Sequence, residues 1–425
     1  MMEKCNIRAF EKDVTEETGW TESFRHAVKE LEKQGGGMLY VPPGEYRTCS
    51  IRLKSHINFH LEQGAVLRFL DEESRYEVVD TEFEGIRGKM YMPCIYAFDA
   101  EDVAVTGNGT IDGQGFRWWK QKNMLPFARP YLICFERCSH VRIEGVRLIN
   151  SPSWTVHPLY CDDVRICGVT IQNPADSPNT DGIDPDCSRN VRISDCLIDV
   201  GDDCIAIKAG TEDTAGRMPC ENLVITNCNM VHGHGGIVIG SEMSGGVRNV
   251  TVSNCVFQDT DRGIRLKTRR RRGGAMERLV FQNIVMDRVL CPFIFNMYYN
   301  CGKNGNEPYV WEKGSYPADE TTPGIRDILI QNVLVSNARA AAGFFWGLPE
   351  APIERVTIAN TTIVMDPDGE PGLPAMMKDL EPMKGEGFYL RNVKNLQLSQ
   401  VSVEGSRGEI VNADETVSVQ WNRFS

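Results

Sequence analysis

The sequence has no apolar run approaching the roughly 20 residues that a membrane-spanning helix requires. Its opening, MMEKCNIRAFEKD, has no charged, apolar, small-residue leader of the secretory kind. A cytoplasmic chain without a membrane partner is therefore expected. Positive charge is also scarce overall: 58 Asp and Glu outnumber 46 Lys and Arg, for a formal charge of -12. Nucleic acid and anionic membranes are not expected partners, because both select for Lys and Arg. The 15 cysteines are odd in number and form no CxxC pair, which fits reduced thiols used as small buried hydrophobes better than a disulfide framework.

Helical patterning is confined to one short segment near the start. Phe24, Ala27, Val28 and Leu31 share a face, Thr21 is placed to cap the first turn, and Gly35-Gly36-Gly37 ends it. Such a helix is expected to cover the first exposed β-edge.

The rest of the chain carries short alternating apolar runs bounded by Asn, Asp and Gly, and one run type recurs. It starts at Val141, Val164, Val191, Leu223, Val250, Leu279, Ile328, Val356 and Leu396, at intervals of 23, 27, 32, 27, 29, 49, 28 and 40 residues. Each unit reads strand, one-residue corner, strand. The corner is Asp195, Asn227, Asn254, Asn283, Asn332 or Asn360 in six of the nine units, and these side chains tolerate left-handed backbone. Cys196, Cys228 and Cys255 follow three of these corners and read as a stacked interior column. The period of two excludes a coiled coil, and the unequal, mostly short repeats favour a parallel β-helix over a propeller, whose blades need about 40 to 50 residues.

A second aligned column carries polar chemistry. With Val156, Ile183, Ile205, Ile237 and Ile264 inward, strand alternation sends His157, Asp184, Ala206, Val238 and Arg265 outward, with Asp186, Lys208, Gly240 and Lys267 two places on. Ahead of these anchors stand Asn179-Thr180-Asp181, Gly201-Asp202-Asp203, Gly233-His234-Gly235 and Asp261-Arg262-Gly263. Consecutive Asp202 and Asp203 would face opposite ways in a regular strand, so a bulge or tight turn at Gly201 is expected to aim both outward. Close carboxylates cannot all ionise easily, and a protonated carboxyl beside an ionised one is what glycosidic cleavage needs.

Simpler readings stand beside these. Asp202-Asp203 alone fits a solvated turn, and His232 with His234 are too few for zinc. Asp181, Asp184 and Asp186 lack the later ligands of a calcium loop, so no metal and no cofactor are expected. Arg269 to Arg272, the end of the basic run RLKTRRRR from Arg265, fit a solvated loop or an anion site. Trp154, Trp311 and Trp346 fit sugar stacking or packing. Of Tyr298 and Tyr299, one is expected to reach the site.

At these four motifs, read here as NTD, GDD, GHG and RLK for a usual RIK, the chain resembles glycoside hydrolase family 28, the polygalacturonases and their relatives. VGDDCIAIKAG, VHGHGGIVIGSEMSGGVRNV and FNMYYNCG resemble the bacterial exo-acting branch most. The resemblance implies one right-handed parallel β-helix domain over 1–425, with 1–40 as a cap region and an anionic, galacturonate-containing oligosaccharide as substrate. It implies Asp202 as general acid, Asp181 and Asp203 as the pair that activates water in an inverting attack, and His234 as holding the acid in its working state. Arg265 and Lys267 would bind the sugar carboxylate; Asn179, His157, Lys208, Tyr298 and Tyr299 complete the expected binding residues. An exo-site needs a closed cleft end, for which the segments 291–323, 211–222 and 269–272 are the expected wall. Rival readings are a rhamnogalacturonan- or xylogalacturonan-directed hydrolase, a calcium-dependent lyase, and a non-catalytic carbohydrate-binding β-helix.

Overall fold

The computed structural model describes residues 4–422. The chain divides between Asp202 and Asp203 into two compact units, and the architecture within each is the expected one, an all-β right-handed parallel β-helix.

In the first unit the helix spans Thr21–Lys33 and buries Phe24, Ala27, Val28 and Leu31. Thr21 does not cap it. It lies inside the first turn, where its hydroxyl donates to the Thr18 carbonyl at 2.6 Å and accepts the Cys49 N–H at 2.9 Å. The glycines end the helix as expected: the Gly36 N–H reaches the Leu31 carbonyl at 2.8 Å. A side chain on Gly36 would lie 2.4 Å from the His56 carbonyl oxygen, and its φ is +116°, so only glycine fits. The first β-edge is met by a strand, Lys4–Asn6, which pairs in parallel with Gly37–Val41. The helix instead packs on the coil interior through Phe24, edge-on to Phe59 with ring centroids 5.8 Å apart.

The repeated runs stack in the register read from the sequence. Val141, Val164 and Val191 are successive partners in the first unit. Leu223, Val250, Leu279, Ile328, Val356 and Leu396 are successive partners in the second. At the corner, Asn227, Asn254, Asn283, Asn332 and Asn360 all have φ between +46° and +57°. Each amide donates to the carbonyl of the Asn one coil earlier: Asn254 to Asn227 at 3.4 Å, Asn283 to Asn254 at 3.1 Å, Asn332 to Asn283 at 3.0 Å and Asn360 to Asn332 at 2.8 Å. The short amide thus supplies both left-handed backbone and an inter-coil bond. The cysteines are all free thiols, twelve of them buried. Cys228 and Cys255 follow their corners into the interior and donate to carbonyls two residues back. Among the described residues no helix is long and apolar enough to cross a membrane.

A second parallel sheet of the first unit holds Ile51–Arg52, Ile95–Phe98, Ile133–Glu136 and Val156–Leu159. Its outer face is covered by an antiparallel hairpin, Val78–Phe83 with Ile86–Tyr91. The turn residues Glu84 and Gly85 both have positive φ, the geometry of the tight turns that match strand twist. Phe83 stacks on Tyr131 and Trp154 at 5.8 and 5.6 Å. Buried Glu136 accepts from Thr81 at 2.7 Å, Tyr96 at 2.9 Å and Arg87 at 3.3 Å.

Asn332→Ala should remove two ladder bonds and strain a left-handed residue, at a cost of about 2 kcal/mol. Asn332→Gly should cost less, because glycine accepts the backbone. Thermal or urea unfolding checks the order; equal stabilities for both variants and parent would refute the ladder's role.

Candidate active site

In the first unit the motif Asn179-Thr180-Asp181 sits on a turn between coils. Thr180 is tied to Ser177 by hydroxyl and carbonyl bonds at 2.5 and 3.1 Å, and the Asp181 carbonyl accepts the Thr155 N–H at 2.9 Å. Asp181 is buried and Asp202 half-buried, and an oxygen of each lies within 4.8 Å of the other. Gly201 has no left-handed φ. Its Cα faces the preceding coil so closely that a Cβ would meet Ser177 O at 2.4 Å and Pro174 O at 2.6 Å, so a larger residue would push the Asp202 backbone off that turn.

In the second unit Asp203 opens the strand Asp203–Ile207. Alternation would place it on the same side as inward Ile205, yet its oxygens meet outward Arg265 at 3.3 Å and Lys267 at 2.8 Å. The expected irregularity is therefore present at the strand start. Burial pushes the Asp203 carboxyl up, but attraction to Lys267, Arg265 and Lys208 overrides it and holds the group well below the usual carboxylate range. Tyr299 lays its ring 5.5 Å from the Arg265 guanidinium and 5.2 Å from the Lys267 ammonium. It is the tyrosine of the pair that reaches these groups; Tyr298 packs instead on Arg270 and Lys313. Lys208 pairs with Glu242 at 3.4 Å, and Glu242 is held at about 2, burial raising it and Lys208, Arg272 and Lys267 lowering it further. His234 is exposed just before the strand Gly235–Ile239.

Two expectations are corrected. Outward from the coil does not mean open to water: His157 is 1% exposed, edge-on to Tyr131 and Trp154 at 4.6 and 5.1 Å under the hairpin and 3.7 Å from Asp186. It and Trp154 are packing groups of that covered face. The run Arg269 to Arg272 is neither a solvated loop nor a free anion site, because Arg269 and Arg272 pair with Glu212 and Arg270 with Glu350. Only Arg271 is exposed, 4.1 Å over the Tyr309 ring. Those arginines tie insertion loops to one another in the second unit.

Two residues escaped sequence reasoning. Glu242 follows the GGIVIG strand, and its pairing with Lys208 had no motif to announce it. Arg129, buried with its guanidinium bonded to Asn179, lies before the first repeat used for alignment, where no periodic position could point to it.

Asp203→Asn should destabilise the fold by roughly 3 kcal/mol, since it strands Arg265 and Lys267 without their buried counter-charge. Asp202→Asn, half-buried, should stay within about 1 kcal/mol. Because the folded Asp203 pKa is depressed, its contribution is full above about pH 4 and is lost as pH falls below that toward its folded value. Denaturant unfolding of parent and both variants between neutral pH and pH 3 checks this, and equal stabilities would contradict the pairing.

The model of glycosyl hydrolases family 28 matches residues 80–314. A probable polygalacturonase of Vitis vinifera is 36% identical over 357 residues, covering 81% of this chain and 70% of that one. An endo-polygalacturonase of Pectobacterium carotovorum subsp. carotovorum is 31% identical over 278 residues, 61% of this chain and 66% of the relative. Among solved structures, a hyperthermoactive exopolygalacturonase from Thermotoga maritima superposes with a TM-score of 0.77 at 31% identity, covering 96% of this chain and 93% of that chain. The family match spans the motifs NTD, GDD, GHG and RLK, and the chain belongs to glycosyl hydrolases family 28: it is a glycoside hydrolase.

Proposed function

We propose that this protein is a polygalacturonase that hydrolyses α-1,4 bonds of de-esterified galacturonate oligosaccharides from one chain end, with inversion. The observation that supports the substrate class is a cluster of buried cations in the second unit. Lys208, Arg265 and Lys267 gather around two carboxylates, Asp203 and Glu242. A sugar carboxylate entering beside these cations would pair with them in a place where water screens poorly. In this reading Asp202 delivers its proton to the glycosidic oxygen as the bond breaks. Asp203, fixed as an anion, serves with Asp181 to orient a water and take its proton. The Asp181–Asp202 approach, within 4.8 Å, is shorter than the about 6.5–9.5 Å usual between the two carboxyls of inverting enzymes. Inversion therefore rests on the family resemblance and on giving the water to Asp181 together with Asp203.

End-directed action is supported in the first unit by the hairpin Val78–Tyr91. It occupies the outer face of the strands at Ile95, Ile133 and Val156, where an internal stretch of polymer would otherwise lie. Sequence reading did not single out this hairpin.

Arg265→Ala should cut kcat/KM on free oligogalacturonates about 10- to 100-fold, the worth of a charge-assisted bond of about 1.5–3 kcal/mol, and cost much less on methyl-esterified ones. Equal losses on both would defeat the carboxylate assignment. On a galacturonate hexamer, chromatography of the earliest products should show monomer plus pentamer; a spread of dimers, trimers and tetramers would mean an open, internally cutting cleft.

A further inference from the structure

Arg129 is a buried cation with an unusual set of bonds. It is 5% exposed, and its Nη1 donates to the carbonyls of Pro152 at 2.7 Å and Pro178 at 2.9 Å while its Nη2 donates to Asn179 Oδ1 at 2.7 Å. All three acceptors are neutral. The charge is therefore not spent on a contact ion pair and acts through space. Burial lowers the Arg129 pKa to about 10, and Glu84 at the hairpin turn, Asp181 and Asp202 pull it back up. A buried cation favours the ionised form of a carboxylate near it.

The mechanical side is equally specific. Pro178 and Asn179 begin the turn that delivers Asp181, and Asn179 sits at φ +54°, a conformation that persists when its surroundings over-determine it. Thr180 and Ser177 tie that turn to itself. Arg129 ties it to Pro152, one coil away. Three acceptors spread around one planar fork suit guanidinium and not the single ammonium point of lysine.

We propose that Arg129 is a positioning residue for the hydrolysis: its guanidinium clamps the Pro178–Asn179 turn that carries Asp181 and, from the same place, sets the electrostatic field in which Asp181 and Asp202 work. The proposal rests on the reading of Asp181 and Asp202 as catalytic. Charge and clamp are separable, because lysine keeps the first and loses the second.

The test is the pH dependence of kcat and kcat/KM on trigalacturonate for the parent, Arg129→Lys and Arg129→Gln, with Asp202→Asn as control and circular dichroism to confirm folding. Loss of the cation makes carboxylates harder to ionise, so Arg129→Gln should move the acid limb of the profile to higher pH by about one unit as well as lower kcat. Arg129→Lys should keep that limb in place and lower kcat at least about 10-fold, since misplacing a reacting group by about 1 Å costs up to 100-fold. A limb unmoved in Arg129→Gln would overturn the electrostatic role. Should Arg129→Gln fail to fold, Arg129→Lys decides: parental kcat overturns the clamp, and reduced kcat at an unmoved limb supports it. An Asp202→Asn variant that stays within threefold of the parent refutes the catalytic reading itself, and the role of Arg129 with it. An inactive Asp202→Asn beside an unmoved Arg129→Gln limb refutes only the inference.

Discussion

The ion cluster of the second unit depends on one buried carboxylate being kept charged. Removing Asp203 from water costs several kcal/mol unless cations replace the lost hydration, and Lys267 and Arg265 do so at 2.8 and 3.3 Å. Those cations come from the strand Arg262–Lys267, two coils on from Asp203. The ion cluster therefore exists only if the coils hold their register. A one-residue slip would turn Arg265 and Lys267 into the core and leave Asp203 unpaired. The Asn ladder that pins each corner to the one before is in this sense part of the active site's support, although it lies on a different edge of the coil.

The first unit meets the same problem in reverse. Arg129 is a buried cation answered by carboxylates at longer range, and its hydrogen bonds are spent on the backbone and side chain of the turn that presents Asp181. The hairpin Val78–Tyr91 supplies Glu84 to that field, and through Phe83 it seals the aromatic layer over His157. One insertion thus contributes a dry aromatic cover and a charge.

The repeat was legible because each coil reuses the same inward positions: the apolar starts at Leu223, Val250 and Leu279 fall opposite one another as the sequence spacing requires. Period two also foretold that Arg265 and Lys267 share a face. What it could not foretell is what lies on top of that face. His157 obeys the alternation and is still buried, because Glu84-Gly85 is a weaker hairpin signal than Asn-Gly and the covering hairpin went unseen. The arginine run misled for a related reason. Its partners, Glu212 and Glu350, lie 57 to 80 residues away in sequence on loops outside the repeat, so local composition showed charge without showing its compensation. Thr21 had a capping residue's identity but met Thr18 and Cys49 first.

The most direct measurement of the central claim is a carboxyl carbon NMR titration of protein labelled at aspartate, with the Asp203 signal assigned by its loss in Asp203→Asn. A carboxylate held by Lys267 and Arg265 should keep the chemical shift of its ionised form from neutral pH down to below about pH 3, while ordinary aspartates titrate near 4. A midpoint at or above 4 for Asp203 would contradict the account, because two cations at 2.8 and 3.3 Å should hold the ionised form well past the point where an ordinary aspartate takes up a proton.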